Sequence, residues 1–140
     1  GQEYTQETEN YLLGCLSKEY IDGITITGGN PLEDYNLDGV LNLVNKIRLL
    51  MPEKTIWLYT GYTLHISNFK SLHRGIAPND IHHNTMLEIL NLCDVVVDGR
   101  FIEEKKNLTL PFCGSSNQRL IDVRKTIQQN KIVLWNNNTQ

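Results

Sequence analysis

What this sequence most conspicuously lacks is clustered cysteine. Its 140 residues hold three cysteines, Cys15, Cys93 and Cys113, far apart along the chain. An odd, scattered set excludes the disulfide framework of a small secreted domain and fits a reducing cytosol. It also excludes the usual cluster-binding loop, in which cysteines a few residues apart wrap one metal group. Basic charge is scarce as well: the net charge is −3 and no run of Lys or Arg stands out. The footprint of nucleic-acid binding, or of attraction to an acidic membrane, is therefore absent. No apolar run approaches the roughly 18 residues of a membrane span. The polar, acidic opening "GQEYTQETEN" is unlike a signal peptide. The expectation is a cytoplasmic protein with no nucleic-acid and no membrane partner.

What is present is enough apolar residue, 40% of the chain, for one globular domain over residues 1–140. Residues 5–18 open on a threonine cap and acidic residues and then turn apolar, which predicts a helix. Residues 24–27 are β-branched and predict a strand. Over residues 36–51, Leu37, Val40, Leu41, Val44, Ile47 and Leu50 recur with helical period, and Pro52 blocks continuation. "TIWLY", residues 55–59, is the next strand. Within it, Trp57 and Tyr59 alternate with Ile56 and Leu58, a packing pattern. Residues 62–80 read as a short helix and a loop. Residues 85–92 read as a helix with Asn84 and Thr85 as caps, and residues 94–98 as a strand buried on both faces. His82 and His83 are adjacent, so their side chains diverge and predict no metal site. Residues 120–123 and 132–135 are two further short strands. Between them and residue 98 runs a polar stretch too long for an ordinary connection, and therefore functional. Within it, "EEKK" reads as a solvated turn. Strands alternating with helices predict an α/β chain with a mainly parallel sheet.

In such a sheet, ligands sit at the carboxyl ends of strands. Gly28 and Gly29 lie at such an end, where glycine permits positive φ and close approach of a ligand. Asn30 adds an amide and Pro31 stiffens the exit. The residues alone leave three readings open. One is phosphate on backbone amides, one is an ammonium group on strand-end carbonyls and the Asn30 oxygen, and one is a plain tight turn.

Read together, "TGGNPL", "LYTGYT" and "DVVVDGRFIEEKKNLTLPFCGSSNQRLIDV" resemble the anaerobic ribonucleoside-triphosphate reductase activating proteins, a branch of the radical S-adenosylmethionine superfamily. The resemblance runs from Gly1 to about Val123. It implies a compact, partial (β/α) barrel whose Gly-Gly turn holds the amino group of S-adenosylmethionine, with Thr27, Gly28, Gly29, Asn30 and Pro31 at the cofactor. It implies that Thr60 and Asp98, at two other strand ends, lie near the methionine carboxylate, with Arg100 beside them. It makes Ser115, Ser116, Asn117, Gln118 and Arg119 a partner or cofactor loop. Asn30 and Cys113 depart from the family, where an aspartate and a basic residue are commoner.

The resemblance further implies a 4Fe-4S cluster on a C-x3-C-x2-C motif, with S-adenosylmethionine on the fourth iron. Reductive cleavage would give a 5′-deoxyadenosyl radical that makes a glycyl radical on the large subunit of the reductase, with an electron donor as second partner. The motif is absent here. The expectation is that this chain begins after the cluster loop, lacks the first strand, carries no catalytic or metal-binding residue of its own, and self-associates through the exposed sheet edge. Cys93 and Cys15 are expected to be core thiols. Cys113, in a polar loop, could be reactive. The competing readings are a non-catalytic binding module for the reductase or S-adenosylmethionine, an activase of pyruvate formate-lyase, and an unrelated phosphate-binding α/β domain.

Overall fold

The computed structural model describes residues 6–27, 31–32, 36–69, 81–107, 109–110 and 112–136. Its elements follow in the order α1 (Gln6–Leu16), β1 (Gly23–Ile26), α2 (Leu37–Leu50), β2 (Thr55–Tyr59), α3 (Ile81–Leu92), β3 (Val95–Asp98), β4 (Arg119–Asp122) and α4 (Val123–Gln129). The strands form one sheet in the order β1-β2-β3-β4. The first three are parallel and β4 runs antiparallel to β3. This is the expected α/β chain with a mainly parallel sheet, open rather than closed into a barrel.

The sheet's two faces follow from period-2 alternation. Ile56, Leu58, Val96 and Ile121 point to one side and share a core with Leu43, Val44 and Ile47 of α2 and Ile89 and Leu90 of α3. Trp57 and Tyr59 point to the other side, in register with Val95 and Val97. Arg48 ties the helical layer to the sheet: its guanidinium donates to Leu92 O at 2.8 Å, Lys54 O at 3.1 Å and Asp94 Oδ2 at 2.8 Å. Asp94 Oδ2 in turn accepts from Ile56 N at 2.7 Å. One arginine thus satisfies two carbonyls and a carboxylate where α2, α3 and β3 meet. Gly23 is required by close approach, since a Cβ there would lie 2.1 Å from Thr55 Oγ1.

Several boundaries differ from the sequence-based expectation. Val123 starts α4 rather than ending β4, because the Asp122 carboxylate accepts from Lys125 N at 3.0 Å and caps the helix. Asn84 and Thr85 lie inside α3, which begins at Ile81, so they are not its caps. A strand was expected over residues 132–135. The segment instead makes a single bridge, Leu134 to Ile121, flanked by Asp122 N to Val133 O and Trp135 N to Leu120 O, both 2.8 Å. The threonine cap expected at Thr5 and the loop at residues 70–80 lie outside the described residues.

Among the described residues β1 pairs only with β2, which makes it the sheet's edge. An unshielded edge strand is a template for another chain. We expect the 140-residue protein to associate with rising concentration in sedimentation velocity, and Thr25→Lys, at an exposed position of β1, to return it to monomer. Wild-type protein that sediments as a clean monomer at high concentration would contradict this.

Candidate functional site

Because β1, β2 and β3 are parallel, their carboxyl ends, Ile26, Tyr59 and Asp98, open onto one rim. Those sequence-based candidates that lie among the described residues fall on this rim or beside it. Thr27 is the first residue past β1 and is exposed, while Pro31 is buried. Gly28, Gly29 and Asn30 lie outside the described residues. Thr60 follows β2 and is buried; its N–H donates to Val97 O at 2.9 Å, and its Oγ1 accepts from Tyr62 N at 3.2 Å.

Asp98 ends β3 and is 1% exposed. Register places it on the helix-covered face, opposite Arg119 of β4 and in phase with Val96 and Ile121. Both carboxylate oxygens are engaged. Oδ1 accepts from Arg119 Nε at 3.1 Å, and Oδ2 accepts from Arg119 Nη2 at 2.6 Å and from Leu64 N at 2.9 Å. Arg119 Nη2 also donates to Leu64 O at 2.8 Å. The hydrogen bond to Asp98 holds the guanidinium pKa above its usual value. The guanidinium paired with Asp98 is therefore Arg119, whereas the neighbouring Arg100 is exposed and, among the described residues, is held through its carbonyl, which accepts from Asn117 Nδ2 at 2.8 Å.

The segment from Gly114 to Arg119 is bonded largely to its own chain. Gln118 Oε1 accepts from Gly114 N at 2.8 Å and Ser115 N at 3.1 Å, and its Nε2 donates to Gly99 O at 3.0 Å. Ser115 is fully buried; its hydroxyl bonds Asn117 Oδ1 at 2.6 Å and accepts from Ile102 N at 3.3 Å. Within this segment Gly114 and Ser116 are exposed. Gly99 has φ of 93°, a backbone conformation that favours glycine where the two segments cross. The result is a knitted rim carrying Arg100, Phe101 and Tyr62 outward.

Sequence reasoning missed two features. The Asp98–Arg119–Leu64 junction was hidden because nothing local announces that β4 lies antiparallel beside β3. The second is an aromatic cluster on the open sheet face. Trp57 meets Phe112 at 5.1 Å and Trp135 at 4.9 Å between ring centroids. Tyr59 Oη donates to Phe112 O at 2.6 Å, and Phe112 adopts φ of 69°, a strained value for a bulky residue. A hollow of about 260 Å³ runs beside the cluster along Gly23, Thr25, Thr55 and Trp57. Partial burial, with Cys113 nearby, raises the Tyr59 pKa.

The cysteines do not gather. Cys15 sits on α1, Cys93 follows α3, and Cys113 sits in the loop before β4. Cys93 is buried, its Sγ–H donates to Ile89 O at 3.3 Å, and burial pushes its thiol up to about 12. Cys113 Sγ lies 3.7 Å from Gln118 O, and burial followed by the Asp98 charge raises its pKa. Among the described residues no three His, Cys, Asp or Glu side chains converge to hold a metal ion. The described residues do not fit a 4Fe-4S cluster. Among the same residues no helix is long and apolar enough to cross a membrane.

Comparison with known proteins gives the kinship of this arrangement. The family model described as a 4Fe-4S single cluster domain matches residues 1–121. A protein of Enterobacteria phage T4 is 38% identical over 122 residues, covering 86% of this chain and 65% of its own length. Relatives from Vibrio cholerae and Escherichia coli K12 are 37% and 33% identical over 120 residues, each covering 84% of this chain and 68% of the relative. All three carry the name anaerobic ribonucleoside-triphosphate reductase-activating protein. No solved structure matches the chain significantly. With the family match spanning the whole rim through Arg119, this chain belongs to the 4Fe-4S single cluster domain family and, within it, to the anaerobic ribonucleoside-triphosphate reductase-activating proteins.

Proposed function

We propose that this chain is the S-adenosylmethionine-binding and reductase-docking part of an activating protein for anaerobic ribonucleoside-triphosphate reductase. The observation that supports it is coverage: the matched residues 1–121 include every residue of the strand-end rim. The donor chemistry there fits a zwitterion. Arg100 offers an exposed guanidinium to a carboxylate, and Thr27 offers a hydroxyl at the end of β1. The glycine pair and Asn30 remain the candidates for the amino group. When bound, S-adenosylmethionine supplies a carbon–sulfur bond that one-electron reduction can open, the source of the hydrogen-abstracting power that activates a glycine of the reductase.

The chain's own part is orientation and shelter. The buried Thr60 and the Asp98 junction hold the rim in shape, and exposed Phe101 and Tyr62 offer apolar surface against water and partner. The ligands of the 4Fe-4S cluster belong, on this proposal, to the part of the relatives' length that the chain does not match, and an electron donor is the second partner. The scattered cysteines favour one further reading, a non-catalytic module that binds the reductase.

Calorimetric titration of the chain with S-adenosylmethionine tests the proposal. We expect saturable binding that Arg100→Ala weakens about tenfold, the worth of a charge-assisted hydrogen bond. Capture of purified reductase without any binding of S-adenosylmethionine would leave the binding module. Failure of both would remove the proposal.

A further inference from the structure

Arg119 spends its fork in a way that mere charge neutralisation does not require. Nε and Nη2 reach the two oxygens of one buried carboxylate, and Nη2 also reaches Leu64 O. The same carboxylate takes Leu64 N, so both backbone groups of Leu64 are fixed by one ion pair. Leu64 closes the loop that leaves β2. Two other bonds add to the lock: Tyr62 N to Thr60 Oγ1 at 3.2 Å and Gly99 N to Tyr62 O at 2.9 Å. Leu64 N on Asp98, Tyr62 O on Gly99 N and Thr60 N on Val97 O at 2.9 Å thus tie residues 60–64 at three points to the exit of β3, from which Arg100 projects. The Tyr62 N to Thr60 Oγ1 bond braces the loop internally. A buried ion pair seldom adds net stability over an apolar pair of the same volume. What a planar, bidentate guanidinium supplies instead is fixed geometry, which a lysine ammonium cannot reproduce.

We infer that Arg119 is a positioning residue: acting through Asp98 and Leu64, it sets the post-β2 loop against the β3 exit so that Thr60 and Arg100 stand in one arrangement toward the ligand. This rests on the reading of the rim as the S-adenosylmethionine site. It goes beyond that reading by assigning Arg119 an indirect role in place of ligand contact.

Arg119→Lys keeps the charge and removes the fork, and two measurements read it. Hydrogen exchange at the Leu64 amide should accelerate at least about tenfold as the local opening becomes easier. S-adenosylmethionine affinity should fall about tenfold while the thermal midpoint moves by less than about 3 °C. Exchange and affinity both equal to wild type would overturn the inference. If the wild-type chain binds no S-adenosylmethionine, the cofactor reading falls and exchange alone decides: faster exchange at Leu64 sustains the positioning role, and unchanged exchange ends it. Asp98→Asn, which keeps the shape and one acceptor, replaces Arg119→Lys if that variant does not fold, and is judged by the same two readings.

Discussion

Incubated without oxygen in ferrous iron, sulfide and a thiol, the 140-residue chain is expected to take up no 4Fe-4S cluster. Several thiolates must converge in space to hold such a group. Here one thiol sits on α1, one is sealed beneath α3 and one lies in the loop before β4. Cys93 is the least available, since it is 5% exposed and its pKa of about 12 keeps it a thiol at neutral pH. A metal ligand must first lose that proton. The check is the charge-transfer absorption of the desalted protein, with iron and sulfide determined chemically. Stoichiometric iron and sulfide that vanish in a Cys15→Ala, Cys93→Ala or Cys113→Ala variant would refute the expectation. On the proposed function, the chain alone is expected to leave the reductase without a glycyl radical, which electron paramagnetic resonance would read.

Asp98→Ala is expected to be the most destabilising single change at the rim, by about 2–3 kcal/mol. The carboxylate receives three hydrogen bonds and is almost fully buried. Removing it orphans Leu64 N–H in the interior and strips Arg119 of its anion. The guanidinium side chain is 36% exposed and partly re-solvates, which keeps the cost below that of a fully enclosed pair. Denaturant unfolding measures this as a lower midpoint at unchanged slope. Arg100→Ala, two residues on but solvated, should leave the midpoint where it is. Equal midpoints for Asp98→Ala and wild type would show that the junction contributes nothing to the folded state.

The helices and strands were legible where a pattern outlasts its local exceptions. Leu37, Val44 and Ile47 on α2 and Ile56 and Leu58 on β2 carry their periods through to burial. The valines of β3 read as a doubly covered strand and are one. Legibility failed where a single side chain overrides the run. Asp122 turns an apolar continuation into a helix start, and residues 132–135, apolar enough for a strand, find only one bridge beside β4. At the rim, position along the strand was readable but facing was not. Asp98 stands at a strand end, as the sequence says, yet its phase turns it to the helical side, where Arg119 waits from a strand whose direction no local signal announces. The hydroxyls, amides and guanidinium that the sequence offers in the polar loop are mostly bonded within the chain itself.

The meeting of Trp57 and Trp135 has an optical consequence. They are the chain's two tryptophans, edge to face at 4.9 Å on the open side of the sheet. At that separation their excited states couple, so the tryptophan contribution to the protein's circular dichroism comes from one spot. Trp135 is held there by a single bridge and its flanking bonds, so loosening the carboxyl-terminal segment erases the exciton signal while the helical spectrum stays. A molecule that settles in the hollow beside Trp57 shifts the same band. The protein therefore carries its own label on the face opposite its helices.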